Sequence, residues 1–169
     1  RYTTWAALAT ALNLGKWKLQ ADVLGTFVIE KVRNNVEAPD KSEFSPALIV
    51  GYKPFSNQDL NLRAFYKRIF RLPTFNDLYY AQIGFSQLNP EFTNQFNIGG
   101  SYQKTFKTGM IDRIALQMDV YYAAITDKII AAPTGSSFRW MMTNMGKVES
   151  KGVDVSTAVS GHVGLLKLH

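Results

Sequence analysis

The side chains that most often perform catalysis or hold metals are scarce in this chain of 169 residues, which has no cysteine and only two histidines, His162 and His169. Neither histidine has a carboxylate or thiolate partner at the spacing that zinc sites use. Asp112 and Asp119 are an odd number of residues apart, so in a strand they would lie on opposite faces and could not form an acid–base pair. We therefore expect no enzyme activity, no catalytic residue, no metal site and no cofactor.

The positive charge of the chain raises the question of nucleic-acid binding. Lysine and arginine number 19 against 13 acidic residues, for a net charge of +6. Most basic residues are scattered, and the densest group, residues 67–71, is interrupted by apolar side chains. Because nucleic-acid-binding domains gather their basic residues on one face or helix, we expect no nucleic-acid partner.

The dominant pattern along the chain is alternation of apolar and polar residues. Between residues 110 and 127, Ile114, Leu116, Met118 and Val120 alternate with polar positions such as Gln117. Period two is typical of a β-strand with two different faces. Similar alternation recurs in residues 17–30, 60–67, 92–103 and 153–160.

Turn signals divide these segments. Residues 104–109 form a short polar link ending in Gly109, as in a hairpin. Pro46 indicates an edge or irregular start for the segment 44–53, and Pro133 and Gly135 predict two strand ends around a loop. We predict an all-β fold, an antiparallel meander of about eight strands.

The alternation fits two environments. A strand that crosses a bilayer needs about 9–11 residues, apolar toward lipid and polar toward the lumen. Aromatic residues lie near the predicted strand ends, as in membrane-interface girdles; they include Tyr2, Trp5, Trp17, Tyr52, Tyr102, Tyr121, Tyr122 and Trp140. A soluble β-barrel or β-sandwich ligand-binding module would show the same alternation, and this alternative stays open at this point.

The alternation is interrupted at residues 70–91. Thr74 is followed three residues later by Asp77, a spacing that predicts a capping box at the start of a short helical turn. Taken alone, the segment is a capped turn within a loop.

The motifs in and after this segment resemble the barrel of TonB-dependent outer-membrane receptors. They keep the order and spacing of that family's C-terminal half over about residues 43–160. The motif positions are Phe70, Arg71, Pro73, Asp77, Leu78, Tyr79, Asn89, Pro90, Glu91 and Gly152, followed or accompanied by Asp127-Lys128-Ile129 and Asn144-Met145-Gly146.

The resemblance implies a fragment of a larger receptor in the cell outer membrane. Residues 1–169 would form part of a barrel of about 22 strands, with no plug domain present. The full receptor would import a scarce nutrient such as an iron–siderophore or a cobalamin-like molecule. Its partners would be the TonB energy-transducing complex, acting through the absent plug, the imported small ligand and outer-membrane lipid.

The resemblance also suggests which residues meet the ligand. Short turns such as 104–109 would lie on the periplasmic side and the 72–90 loop on the external side. Candidate ligand contacts are Arg71, Tyr79, Tyr80, Arg139 and Trp140, although exposed loop aromatics can also be interface anchors. Haem-uptake members often carry a histidine in this loop, and none lies between residues 71 and 90, which counts against haem.

Overall fold

The computed structural model describes residues 1–33, 36–81, 83–135, 139–163 and 166–168. These residues form ten strands and one short helix. In chain order the elements are β1 (Tyr2–Leu14), β2 (Trp17–Ile29), β3 (Lys41–Tyr52), β4 (Asp59–Arg71), α1 (Phe75–Tyr79), β5 (Glu91–Thr105), β6 (Ile111–Thr126), β7 (Ile129–Pro133), β8 (Trp140–Asn144), β9 (Lys147–Val163) and β10 (Leu166–Leu168).

Eight of the strands form one antiparallel sheet in the order β1-β2-β3-β4-β5-β6-β9-β10, and β7 and β8 form a separate hairpin. The predicted all-β meander is confirmed. Strands that are neighbours in the large sheet are also consecutive along the chain, except that the β7–β8 hairpin is inserted between β6 and β9. Within the described residues β1 and β10 do not pair with each other, so the sheet is an open wall rather than a closed barrel.

The two less regular segments also behave as predicted. Pro46 lies within β3, where residues 41–46 pair with β2 but not with β4, whose pairing begins at Ala47. Residues 41–46 therefore form a local edge of the sheet. Proline is tolerated at such an edge because the backbone N–H that it lacks is not needed for strand pairing there. The segment around Pro133 and Gly135 is the β7–β8 hairpin.

Strand alternation gives the wall two different faces. On the apolar face, one cross-strand row joins Leu62, Gly100, Met118 and Val155. Large apolar side chains there are strongly exposed, reaching 76% at Leu8, 70% at Ile98 and 64% at Val155. An exposed apolar surface of this extent requires a lipid or protein partner. The opposite, polar face carries the charged row described below.

The connections differ at the two ends of the wall. At the turn end, residues 15–16, 53–58 and 106–110 link adjacent strands, and Gly15 and Gly109 adopt the positive φ angles (59° and 111°) that such tight reversals need. At the loop end, residues 30–40, 72–90 and 127–146 form long connections. The 104–109 turn and the 72–90 loop lie at opposite ends of the wall, and their placement on the periplasmic and external sides stays a prediction.

The largest buried cluster lies in the long loops rather than in the wall. It consists of Ala38, Leu78, Leu88 and Ile129, with Tyr79 and Met142 packed against it, and is called the loop cluster below. No helix among the described residues has the length and apolar character required to cross a membrane.

Candidate functional site

Helix α1 begins at the predicted capping box. The N–H of Thr74 donates to Asp77 Oδ2 at 2.8 Å, and the N–H of Asp77 donates to Thr74 Oγ1 at 3.2 Å. The reciprocal bonds satisfy two backbone donors that the first turn would otherwise leave free. The box fixes where the 72–90 loop turns and directs Leu78 into the loop cluster.

The loop cluster joins all three long connections. Leu78 and Leu88 come from the 72–90 loop, Ala38 from the 30–40 loop and Ile129 from the start of β7. Leu88 is completely buried. The hydroxyl of Tyr79 accepts the N–H of Ala38 at 3.0 Å, so a hydrogen bond reinforces the apolar contact between two of the loops.

Arg71 forms ion pairs at the edge of this cluster. Its guanidinium lies 3.0 Å from Glu91 Oε2 and 3.6 Å from Asp77 Oδ2. Glu91 Oε2 also accepts the N–H of Ile129 at 3.2 Å. Three charged motif residues therefore join the ends of β4 and β5 to α1 and β7.

Asn144 connects the hairpin to the loop before β5. Its amide nitrogen donates to the carbonyl oxygens of Asp127 and Asn89 at 2.7 and 3.0 Å, and its Oδ1 accepts the N–H of Asn89 at 2.7 Å. Asp127 is the one described non-glycine residue with a positive φ, 54°. Asn89 and Asn144, which belong to separate motifs in the sequence, therefore contact each other directly.

The predicted ligand-contact residues do not form one site. Arg71 is ion-paired, and Tyr79 is packed in the loop cluster. Tyr79 and Tyr80 line a depression of about 270 Å³ together with Val36, Phe85 and neighbouring residues. Arg139 and Trp140 lie in the β7–β8 hairpin, where Trp140 is 53% exposed. All five are at the loop end.

Gly152 has a steric role in the wall. It pairs with Tyr121 across β6 and β9, and a Cβ atom at this position would lie 2.5 Å from the Tyr121 hydroxyl oxygen. Only glycine leaves room for that ring on the polar face.

A charge pair on the polar face was not foreseen from the sequence. Arg63, Gly99 and Asp119 are aligned across β4, β5 and β6. The Arg63 guanidinium binds both Asp119 carboxylate oxygens, at 2.8 and 2.7 Å, passing over Gly99. Gln117 donates a further bond to Asp119 Oδ2 at 2.9 Å.

Gly99 makes this bidentate contact possible. A Cβ atom there would lie 2.0 Å from Asp119 Oδ1 and 2.9 Å from the Met118 carbonyl oxygen. A glycine inside a strand often marks such a close approach, so Gly99-Gly100 was the signal that could have pointed to it. The contact links the three neighbouring strands β4, β5 and β6 on the polar face.

The described residues contain no group of three or more histidine and acidic side chains that could hold a metal ion. His162 Nδ1 lies 2.8 Å from Asp112 Oδ1, a partner that sequence spacing alone did not reveal. Asp112 lies at the register shift between Ile111 and Arg113, at the start of the β6–β9 ladder. His169 lies outside the described residues.

Comparisons with known proteins identify the family. Residues 1–167 match the family described as "TonB dependent receptor-like, beta-barrel". The vitamin B12 transporter BtuB of Vibrio vulnificus (strain YJ016) is 29% identical over 86 residues, which are 51% of this chain and 13% of the transporter.

A solved structure shares the fold. It is a double mutant of the Serratia marcescens hemophore receptor HasR in complex with its hemophore HasA and heme. The TM-score is 0.68 at 14% identity, covering 95% of this chain and 32% of the receptor chain. This chain therefore spans about a third or less of the length of these proteins. It belongs to the TonB-dependent receptor-like β-barrel family, whose members are transport receptors of the outer membrane rather than enzymes.

Proposed function

We propose that the chain is a wall segment of an outer-membrane receptor that imports a scarce nutrient, such as an iron–siderophore or a cobalamin-like molecule. The observation that carries the proposal is the division of the wall into two faces. Strongly exposed Leu8, Ile98 and Val155 lie on one face, and the Arg63–Asp119 pair lies on the other. This division suits a wall between lipid and a wet lumen.

In this proposal, the polar face meets a plug supplied by another part of the receptor. The TonB complex, powered by the inner-membrane proton gradient, acts on that plug to release the ligand inward. The alternative of a soluble β-barrel or β-sandwich binding module is less well supported, because it leaves the exposed apolar face without a function.

The loop end would receive the ligand from outside the cell. Of the five candidate contacts, the residues Tyr80 and Trp140 are 56% and 53% exposed, and Arg139 is also exposed. These three are better placed to meet a ligand than Arg71 and Tyr79, whose polar groups already have partners. Short turns at the opposite end suit the periplasmic side.

The test is nutrient uptake by cells that lack the receptor and carry the full-length gene on a plasmid. Labelled cobalamin and a labelled ferric siderophore are supplied separately, with and without a protonophore. We expect uptake of one ligand class that requires both the receptor and the proton gradient. Uptake that persists in the deletion strain, or that ignores the protonophore, would contradict the proposal.

Variants of the receptor locate the ligand contacts. Tyr80→Ala and Trp140→Ala should weaken ligand binding, because aromatic side chains contribute large contact areas at recognition surfaces. Lys107→Ala, at an exposed position of the turn end, is the matched control and should leave binding unchanged. Equal loss in all three variants would argue against a contact site at the loop end.

A further inference from the structure

The ladder between β3 and β4 stops before either strand ends. β3 pairs with β2, and β4 pairs with β5, along their full lengths. The two strands pair with each other only up to Ala47 and Lys67. Residues 41–46 and 68–71 therefore flank an opening without ladder bonds between them, which is called the seam gap below.

A cavity of about 810 Å³ lies beside the seam gap on the polar face. Its lining includes Ser45 on β3 and Ile69 on β4, and it extends across the wall to Trp5 on β1. Beyond the strands the chain closes over it, since the Arg1 guanidinium donates to the Pro73 carbonyl oxygen at 3.1 Å. The seam gap is therefore an opening framed by contacts on all sides rather than a frayed strand end.

The seam gap lies at the outer boundary of the membrane in the orientation proposed above. Tyr66, Phe96 and Tyr122 form a row across β4, β5 and β6 on the apolar face, with ring centroids 4.9 and 6.4 Å apart. Such aromatic rows mark the interface between hydrocarbon and water. The gap begins on the loop side of this row. Unpaired strand edges are excluded from the hydrocarbon, but water can satisfy them at this depth, so the seam can be open or paired there.

The aromatic side chains on the two sides of the seam gap pack away from it. The ring of Phe44 packs edge to face on Phe27 of β2, with centroids 6.1 Å apart. The ring centroid of Phe70 lies 6.5 Å from that of Phe92 on β5. Neither contact crosses the gap, so each strand is held here by its outer neighbour.

The sequence is nevertheless complementary across the gap. Extension of the observed β3–β4 register into the gap would pair Ser45 with Ile69, Phe44 with Phe70, and Glu43 with Arg71. Aromatic pairs and opposite charges directly across two strands stabilise a sheet. Glu43 forms no ion pair in the described part of the chain, and the extended ladder would give it one.

We propose that the loop-end part of the β3–β4 seam is a clasp with two states, open as in this structure and closed by extension of the ladder. Pro46, the first residue of β3 beyond the ladder, disfavours the closed state because it has no N–H to donate to β4. Closing would narrow the cavity beneath the loops, and opening would admit a ligand to the polar face. This use of the clasp rests on the proposed transport function, whereas its two states do not.

The test is disulfide trapping in the full-length receptor in outer-membrane vesicles, in a background free of other cysteines. Ser45→Cys/Ile69→Cys, called the gap pair below, places two thiols on opposite sides of the gap. Paired residues in adjacent antiparallel strands have Cα atoms about 4.5–5.5 Å apart, within the range that a disulfide spans. Ala47→Cys/Lys67→Cys, at the last observed pair, is the matched control. We expect the gap pair to oxidise roughly tenfold more slowly than the control, because it reacts only in the minor closed state.

Two further substitutions, each added to the gap pair, give the experiment opposite signs. Pro46→Ala restores an N–H and should raise the oxidation rate roughly threefold, by allowing one more ladder hydrogen bond. Glu43→Gln removes the charge that would meet Arg71 and should lower the rate roughly twofold. Folding of each variant is checked by heat-modifiable electrophoretic mobility.

Nutrient uptake tests what the clasp does. The gap pair, once closed by its disulfide, should lose most of its uptake, because the strands can no longer separate. Dithiothreitol should restore the uptake, and the disulfide of the control pair should leave it unchanged.

Several outcomes would overturn the proposal. Absence of any disulfide in the folded gap pair would mean that the opening is fixed, and oxidation as fast as in the control would mean that the ladder simply continues. Full uptake by the disulfide-closed receptor would remove the role in ligand entry. The oxidation rates do not require uptake, so a receptor that imports no tested nutrient would contradict the transport function while the two states are decided by the rates alone.

Discussion

The loop end and the wall of this chain are stabilised in different ways. Of the six buried alanine, valine, leucine and isoleucine residues in the described part of the chain, four belong to the loop cluster: Ala38, Leu78, Leu88 and Ile129. The wall contributes Val28 and Ala124 and otherwise exposes its large apolar residues. The loops are thus packed like a small soluble core, whereas the wall relies on its hydrogen-bond ladders and on the surroundings of its two faces.

This difference explains what the motif residues do. Arg71, Asp77, Tyr79, Asn89 and Glu91 are mostly engaged in bonds that hold the loops together. In the wall, by contrast, Gly99 and Gly152 act by leaving space for neighbouring side chains. The motif residues at the loop end therefore indicate packing between the loops more directly than they indicate contact with a ligand.

The largest expected effect is on the loop cluster. Leu88→Ala removes the one large side chain that is completely buried in the described part of the chain. It should destabilise the loop end by about 2–5 kcal/mol, through lost burial and the cavity left behind. Limited proteolysis of the full-length receptor should show faster cleavage in residues 72–90. The control Leu8→Ala, at a position 76% exposed on the wall, should leave the cleavage rate unchanged; equal cleavage of the two variants would erase the distinction between the regions.

A smaller effect is expected in the wall. Gly99→Ala places a Cβ 2.0 Å from Asp119 Oδ1, so the Arg63–Asp119 contact must shift, at a cost of about 1–3 kcal/mol from overpacking. The folded fraction after refolding into detergent, read from electrophoretic mobility, should fall. Gly100→Ala is the matched control, since its Cβ would lie 3.1 Å from the end of the flexible Leu62 side chain and at an ordinary contact distance of 3.6 Å from the Asn61 carbonyl oxygen. A similar loss in both variants would remove the special role of Gly99.

The smallest effect is expected at Arg71. Its side chain is 47% exposed, whereas the side chains of its partners Glu91 and Asp77 are only 13% and 15% exposed. Because Arg71→Gln keeps an amide donor beside these carboxylates and the guanidinium itself reaches solvent, it should change stability by about 1 kcal/mol or less. Thermal melting of the full-length receptor measures this, with Lys53→Gln as control because Lys53 pairs with Asp59 at the turn end. A large loss of stability would mean that Arg71 is part of the rigid loop core, while normal melting with reduced nutrient uptake would favour a ligand contact.

The local patterns of the sequence were sufficient to predict the strands, the two faces of the wall and the capped turn. Alternation predicts a strand because successive side chains point to opposite sides of the backbone, and β6 has the two faces expected from residues 110–127. The capping box could be predicted because Thr74 and Asp77 contact each other within one turn. The ordered motifs were sufficient for the family.

The tertiary structure decided which distant residues meet. Arg63, Gly99 and Asp119 come together only because the registers of two separate ladders place them in one row. Likewise, Asn89 reaches Asn144 and Asp112 reaches His162 across long stretches of chain. Periodicity identifies the face of each residue but not its partner on the next strand, since sliding a strand by two residues keeps the same faces and changes every pair.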